Sequence, residues 1–301
     1  MGQNHEVASP PVPVLDVGGS HVSAALVDVS AGTLVGRAHR RDIDGAASSA
    51  EILDALVGAA AAVAAPQRAT WGVAMPDPFD YAQGIALFDG VGKFESMRGM
   101  DLRDALTRRL PGPAAGVVFL NDADAFVLGE WAYGAAAGHR RCLGLTLGTG
   151  VGTGWLVDGQ IVSSGPGIPR DGRAHRLEIA GAPLEETVSS RAIRRAYLSA
   201  SGGVADVREI AAAARRGEIA ARGVLEHAMR ALGGALGPCL RDFASDVVVV
   251  GGSMSASWDL FGPWFREGLA GDVAPPPIVV AADQHHAPLL GAARFARDGV
   301  R

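Results

Sequence analysis

The stretch from Phe119 to Asp158 constrains the fold more than any other part of the chain. An apolar run, Val117 to Leu120, delivers Asn121 and Asp122 to a strand end. An alanine-rich helix is predicted next, and then a second apolar strand ending in Thr146-Leu147-Gly148-Thr149-Gly150-Val151-Gly152. A carboxylate at a strand tip is placed to take a proton. A glycine-rich turn between two strands brings backbone N–H groups close to a phosphate. A base and a phosphate cradle this close in sequence point to phosphoryl transfer onto a hydroxyl.

With 301 residues, 48% of them apolar and 20% charged, the chain can bury the core of one large or two medium domains and stay soluble. A net charge of -5 gives no sign of a nucleic-acid or membrane-surface partner. No apolar run reaches transmembrane length, and the first residues lack the basic-then-apolar order of a signal peptide, so a cytoplasmic protein is expected. Residues 1–11 read as a disordered lead-in. Cys142 and Cys239 read as unpaired thiols in a reducing compartment. With no Cys-x-x-Cys pair, no cysteine-based zinc site is expected.

The first half opens with an apolar run, Val12 to Asp16, and then Gly18, Gly19 and Ser20. Strands His21 to Asp28 and Thr33 to His39 complete a meander. The Gly-Gly-Ser turn reads either as a phosphate-contacting hairpin, with Asp16 near a Mg²⁺ ion, or as a plain turn. A helix over Ala50 to Ala64 precedes a strand that ends at Met75-Pro76-Asp77-Pro78, where two prolines stiffen a loop. Asp101 caps a helix running to about Leu110. The second half places a long polar loop at Ser163 to Gly181, with His175 and Glu178 in it. A helical region from Leu184 to about Ala200 follows, then helices over Val207 to Ala214 and Gly217 to Leu240. A buried strand, Asp246 to Val250, is closed by Gly251-Gly252-Ser253, where a nucleotide base can lie against backbone or the chain simply turns. Helices over Trp258 to Leu269 and Pro288 to Asp298 flank a last strand at Pro277 to Ala281.

Val14 to Asp28 and Leu143 to Val157 are each a strand–glycine turn–strand unit, and helices and strands alternate after both. The pattern predicts a duplicated α/β fold with a cleft between its halves. The expected division is a small N-terminal domain at 12–122, a larger domain at 123–287, and a terminal helix at 288–301 that returns to the first domain.

In their order and spacing these pieces resemble the ROK family of sugar kinases, within the actin-like, hexokinase-like ATPase superfamily. Asp16-Val17-Gly18-Gly19-Ser20 resembles the family's first phosphate motif and Leu147 to Gly152 its second. Pro76-Asp77-Pro78 resembles the Pro-Gly-Pro sugar loop, with Asp for the middle Gly. Leu120-Asn121-Asp122-Ala123-Asp124-Ala125 resembles its Asn-Asp-Ala-Asn-Ala string. Val250-Gly251-Gly252-Ser253 is similar to the adenosine motif, and Leu289-Leu290-Gly291-Ala292-Ala293 to the closing helix.

The resemblance implies an α/β, two-domain, ribonuclease H-like ATPase fold and an ATP-dependent carbohydrate kinase acting on the primary hydroxyl of a hexose or hexose analogue. It implies Asp122 as general base, worth about a hundred- to ten-thousand-fold in rate. Free Asp titrates near pH 4, so such a base is ionised at neutral pH. Asp122 is also placed to cap the following helix, and both roles can hold. Asn121 would bind sugar hydroxyls. Gly148, Thr149 and Gly150, with Gly18, Gly19 and Ser20, would hold phosphates, and Mg²⁺ would spread their charge. A homodimer is the expected assembly, and the donor is ATP or polyphosphate.

One region departs from the family, whose members usually carry Gly-Glu-x-Gly-His, a cysteine-rich zinc loop and Cys-Leu-Glu. Here the segment is Asp171-Gly172-Arg173-Ala174-His175-Arg176-Leu177-Glu178-Ile179, and the zinc loop is missing. His175 matches the motif's histidine, or Arg176 stands in its place in a zinc-free branch. His175 is thus a sugar ligand or a solvated loop histidine. Glu185, in Leu184-Glu185, is a sugar-ligand candidate, and Glu178 is read as structural. Asp77 and Pro76 belong to the sugar loop; Asp77 is a partner for a substrate ammonium or a turn-forming residue. These changes shift the expected substrate from glucose toward an amino sugar such as kanosamine, or a cyclitol, as in biosynthetic kinases that serve antibiotic production. The rival expectation is a non-catalytic, sugar-sensing regulator of the same fold. Such regulators carry an N-terminal helix-turn-helix, for which the start of the first strand at Val12 leaves no room.

Overall fold

A computed structural model describes residues 9–269 and 274–299. The expected lead-in lies, up to residue 8, outside the described residues. Strands β1 (Val12–Val17), β2 (His21–Asp28), β3 (Thr33–Leu34) and β4 (His39–Asp42) open the chain. The single strand expected over Thr33 to His39 is instead two. Gly36 takes a left-handed φ of 82° and breaks it, and both pieces pair with β2. Helix α1 (Ser49–Ala60) starts at a capping box in which Ser48 and Glu51 satisfy each other's backbone amides. Then come β5 (Thr70–Met75), a short hairpin of β6 (Phe79–Asp80) and β7 (Ile85–Ala86), α2 (Leu102–Arg109) capped by Asp101, β8 (Gly116–Asn121) and α3 (Asp122–Tyr133).

The second half runs through β9 (Arg141–Leu147), β10 (Val151–Val157) and β11 (Gln160–Ile161). The expected long loop contains two 3₁₀ turns, Arg170–Gly172 and Ala174–Arg176, and a small hairpin of β12 (Glu178–Ile179) and β13 (Ala182–Pro183). The helix expected from Leu184 to Ala200 is two, α4 (Glu185–Val188) and α5 (Ser190–Ser201). Ser189 interrupts it with extended backbone, and its hydroxyl caps α5 by accepting from Ala192 N. Helices α6 (Val207–Arg215) and α7 (Ile219–Phe243), strand β14 (Val247–Gly251), helix α8 (Trp258–Gly268), strand β15 (Ile278–Val280) and helix α9 (Ala287–Asp298) complete the order.

The chain forms two compact units, Met1–Tyr133 with His285–Arg301, and Gly134–Gln284. The division follows Tyr133, not Asp122, because α3 packs on α9 within the first unit. Two glycines make that contact possible. A Cβ on Gly291 would run into the Ala125 carbonyl, and one on Gly129 into that of Ala287.

The first unit's sheet runs β3-β2-β1-β5-β8, with β4 also on β2; the second unit's runs β11-β10-β9-β14-β15. In each, an antiparallel hairpin (β1/β2, β9/β10) is followed by parallel neighbours (β5 and β8; β14 and β15). The same order built twice is the duplication expected from the two glycine-turn segments. Each sheet is buried under helices, so its parallel strands are near-continuous apolar runs. The first core gathers Leu15, Val73, Phe79, Phe88 and Phe94. The second centres on Trp155, Val248, Val250 and Phe243, with the Trp155 and Phe243 rings edge to face at 5.0 Å.

Candidate active site

Parallel pairing decides what the first unit places together. Asp16 of β1 lies opposite Ala74 of β5, and Met75 of β5 lies opposite Asn121 of β8. The carboxyl ends of three neighbouring strands thus bring Asp16, the Pro76-Asp77 loop and Asn121-Asp122 to one sheet edge. In open α/β sheets that edge is where ligands bind.

Asn121 is buried and its amide works in two directions. Its Oδ1 accepts from Ala123 N at 3.0 Å and Asp124 N at 3.4 Å, which caps α3. Its Nδ2 donates to Tyr81 Oη at 3.0 Å and Asp77 Oδ2 at 3.2 Å. The Tyr81 hydroxyl lies 2.9 Å from Asp77 Oδ1 and 3.0 Å from the Met75 carbonyl. Asp77 is therefore not merely a turn residue between prolines. It is hydrogen-bonded to Asn121 and to Tyr81, and with Tyr81 it orients Asn121, which holds the first turn of the helix that carries Asp122. The helix starts one residue earlier than expected, at Asp122, so the cap expected of Asp122 belongs to Asn121; Asp122 Oδ1 accepts from the adjacent Ala123 N at 2.9 Å. Sequence reasoning missed Tyr81; its signal was an aromatic hydroxyl four residues after Asp77 in a loop otherwise lacking one.

Asp16 is pushed up to about 7, first by burial and then by the Asp122 carboxylate. Two acidic groups in one partly desolvated place, with hard oxygen donors only, fit a divalent cation such as Mg²⁺. The glycine turn between β1 and β2 is a tight hairpin in which Gly18 N donates to His21 O at 2.8 Å. Its central residues, Gly19 and Ser20, are exposed.

In the second unit the two glycine segments meet. Thr146 of β9 pairs with Gly251 of β14, so Gly148-Thr149-Gly150 and Gly251-Gly252-Ser253 leave the sheet at one edge. Gly252 has a φ of 81°, and a Cβ there would strike the Leu147 backbone. Met254 N donates to Leu147 O at 3.0 Å, and the Ser253 hydroxyl sits against Gly148. Ser190 at the start of α5 binds the Gly148 carbonyl through its backbone N–H, at 2.9 Å, and through its hydroxyl. Thr149 is exposed at the tip.

Glu185 lies against this turn. Its Oε1 accepts from Val151 N at 3.3 Å, and a Cβ on Gly150 would collide with it. His175 is half-buried on a 3₁₀ turn pinned to β10, since Ala174 N donates to Thr153 Oγ1 at 3.0 Å and Thr153 Oγ1 donates to Gly172 O at 2.7 Å. Arg173 is buried there and donates to Thr153 O at 3.3 Å. Arg176 pairs with Asp171 at 2.8 Å and, like Glu178, is exposed.

The architecture and the two glycine-turn edges define a member of the ROK family, whose sequence profile matches residues 13–171 and 180–299; the chain belongs to that family, and its fold is the actin-like ATPase fold. It is 30% identical over 259 residues to a glucokinase from Thermotoga maritima, a match covering 76% of this chain and 79% of that one. The crystal structure of a ROK hexokinase from Thermus thermophilus superposes with a TM-score of 0.77 at 26% identity, covering 96% of this chain and 99% of the other. A ROK glucokinase from Streptomyces griseus, solved with glucose and AMPPNP, also gives 0.77, at 24% identity over 96% and 100% of the two chains.

Proposed function

We propose that this carbohydrate kinase transfers the terminal phosphoryl group of ATP to the primary hydroxyl of a hexose or hexose analogue, with Asp122 as general base. The observation that carries the reading is the strand register that brings Asp16, Asp77, Asn121 and Asp122 to one edge. Asp122 accepts the hydroxyl proton as the oxygen attacks phosphorus, and ADP leaves. Asn121 and the Pro76-Asp77 loop orient the sugar, with His175 and Glu185 as further sugar-binding residues. The turns at Gly18–Ser20 and Gly148–Gly150 bind phosphate through backbone amides, and Gly251, Gly252 and Ser253 bind the nucleoside. Asp16 would hold Mg²⁺, which when bound supplies charge neutralisation on the phosphates.

Asp77 puts a carboxylate in the sugar loop, beside Asn121 and Tyr81. A carboxylate there attracts a substrate ammonium more strongly than a neutral hydroxyl, which supports an amino hexose over glucose. A panel of glucose, an amino hexose, an N-acetylhexosamine and a cyclitol, each with ATP and Mg²⁺ and read as ADP released, tests the proposal. The amino hexose or the cyclitol is expected to give the highest kcat/KM. Glucose as best substrate would refute the preference, and no ADP with any sugar would refute the activity.

A further inference from the structure

The chain contains one lysine, Lys93; every other basic side chain apart from histidine is arginine. It lies in Asp89-Gly90-Val91-Gly92-Lys93-Phe94, in which Gly90 and Gly92 have φ of 66° and 71°. The loop is anchored on both sides of the lysine. Phe94 is buried, with its ring 5.3 Å from that of Phe88, and its N–H donates to Gly45 O at 2.6 Å. Gly92 N donates to Glu95 Oε1 at 2.9 Å, Ser96 Oγ donates to Ala47 O at 2.7 Å, and Arg98 pairs with Asp89 at 2.9 Å.

This anchoring lays the lysine along the glycine turn after β1. A methyl built on Gly19 would sit 3.4 Å from Lys93 Cδ and 4.0 Å from Nζ. Gly45 completes the clasp, since a methyl on it would lie 3.1 Å from both Gly19 O and Lys93 Cβ. Among the described residues no carboxylate pairs with Lys93, whereas arginines throughout the chain do find acidic partners. Among the described residues the N–H groups of Gly19 and Ser20 also lack a protein acceptor. A compact cation without a counter-charge, beside two open backbone amides, is a phosphate site.

We propose that Lys93 is a ligand of the terminal phosphate of the phosphoryl donor, held over Gly19-Ser20. The proposal rests on the kinase reading above and adds to it the side chain that neutralises the transferred group. A cation aimed at a charge that develops in transfer acts on turnover more than on nucleoside binding.

The single lysine makes the test direct. The full chain is acetylated with an N-hydroxysuccinimide ester, and mass spectrometry follows Lys93 against the α-amino group of the same molecules. AMPPNP and tripolyphosphate are expected to slow acetylation of Lys93 at least ~10-fold, the α-amino rate being unchanged, whereas AMP, which lacks the terminal phosphates, leaves both rates as they were. Lys93→Met is expected to lower kcat/KM for ATP by about 100-fold, the scale of one lost transition-state donor, with AMP affinity unchanged and Lys93→Arg recovering part of the loss. If calorimetry shows AMPPNP bound while Lys93 is acetylated at its free rate, or if AMP protects equally, the assignment of Lys93 is overturned and the kinase reading stands. If AMPPNP does not bind and no sugar is phosphorylated, both are overturned.

Discussion

Replacing Asp77 by glycine separates two roles that its position allows. The carboxylate accepts from Tyr81 at 2.9 Å and from Asn121 at 3.2 Å. In Asp77→Gly both bonds go, but neither donor is orphaned, because Tyr81 keeps the Met75 carbonyl and Asn121 keeps the Tyr81 hydroxyl. The loss is then the net value of bonds to a charged acceptor with their donors re-satisfied, about 1–2 kcal/mol. At about 2–4 °C per kcal/mol for a chain of this size, Tm falls by roughly 2–8 °C. Kinetics add the second readout. If Asp77 binds the substrate's ammonium, kcat/KM for an amino hexose falls about 10- to 100-fold and that for glucose only a few-fold, so the gap between them closes. Coupled ADP assays on both sugars, beside a thermal melt, measure all three quantities. Equal losses for the two sugars would refute ammonium recognition and leave Asp77 as the residue that positions Asn121.

Gly291→Ala drives a methyl into the Ala125 backbone, which cannot rotate away; the clash should cost at least about 2 kcal/mol and lower Tm by at least ~4 °C, and an unchanged melt would contradict the α3–α9 contact. Burial, then Arg40, hold His21 below its usual value of 6.5; Asp42 opposes this and His285 adds to it. Because the unfolded chain then takes up that proton first as pH falls, stability present above about 6.5 is lost below it. His21→Gln should flatten the fall in Tm between about pH 7 and 5, and an unaltered slope would refute the assignment.

Much of this was legible because it is local. A buried parallel strand reads as Val247 to Val250, and a hairpin glycine reads from its flanking strands. Two such hairpins betray a duplication. What was not legible depends on partners distant in sequence. The division after Tyr133 arises because α3 packs on α9, more than a hundred residues later, through glycines that carry no helical signal. The helical pattern that starts at Leu184 continues in the sequence through Ser189, whose hydroxyl serves as a cap only once the backbone has broken. Asp77 was visible as an oddity between prolines, but its bonds to Asn121 and Tyr81 exist only when β5 and β8 are side by side. Lys93 has no periodic neighbours; its signal was that it is the only lysine in the chain.

The central claim is that Asp122 takes the proton, and Asp122→Asn tests it most directly. Asparagine keeps the shape and retains an oxygen for Ala123 N–H, but is not a base. With the best sugar of the panel, kcat should fall at least ~100-fold, the lower end for a lost general base, while calorimetric affinity for sugar and AMPPNP and the melting temperature are preserved. Turnover within a few-fold of the parent enzyme would contradict the account.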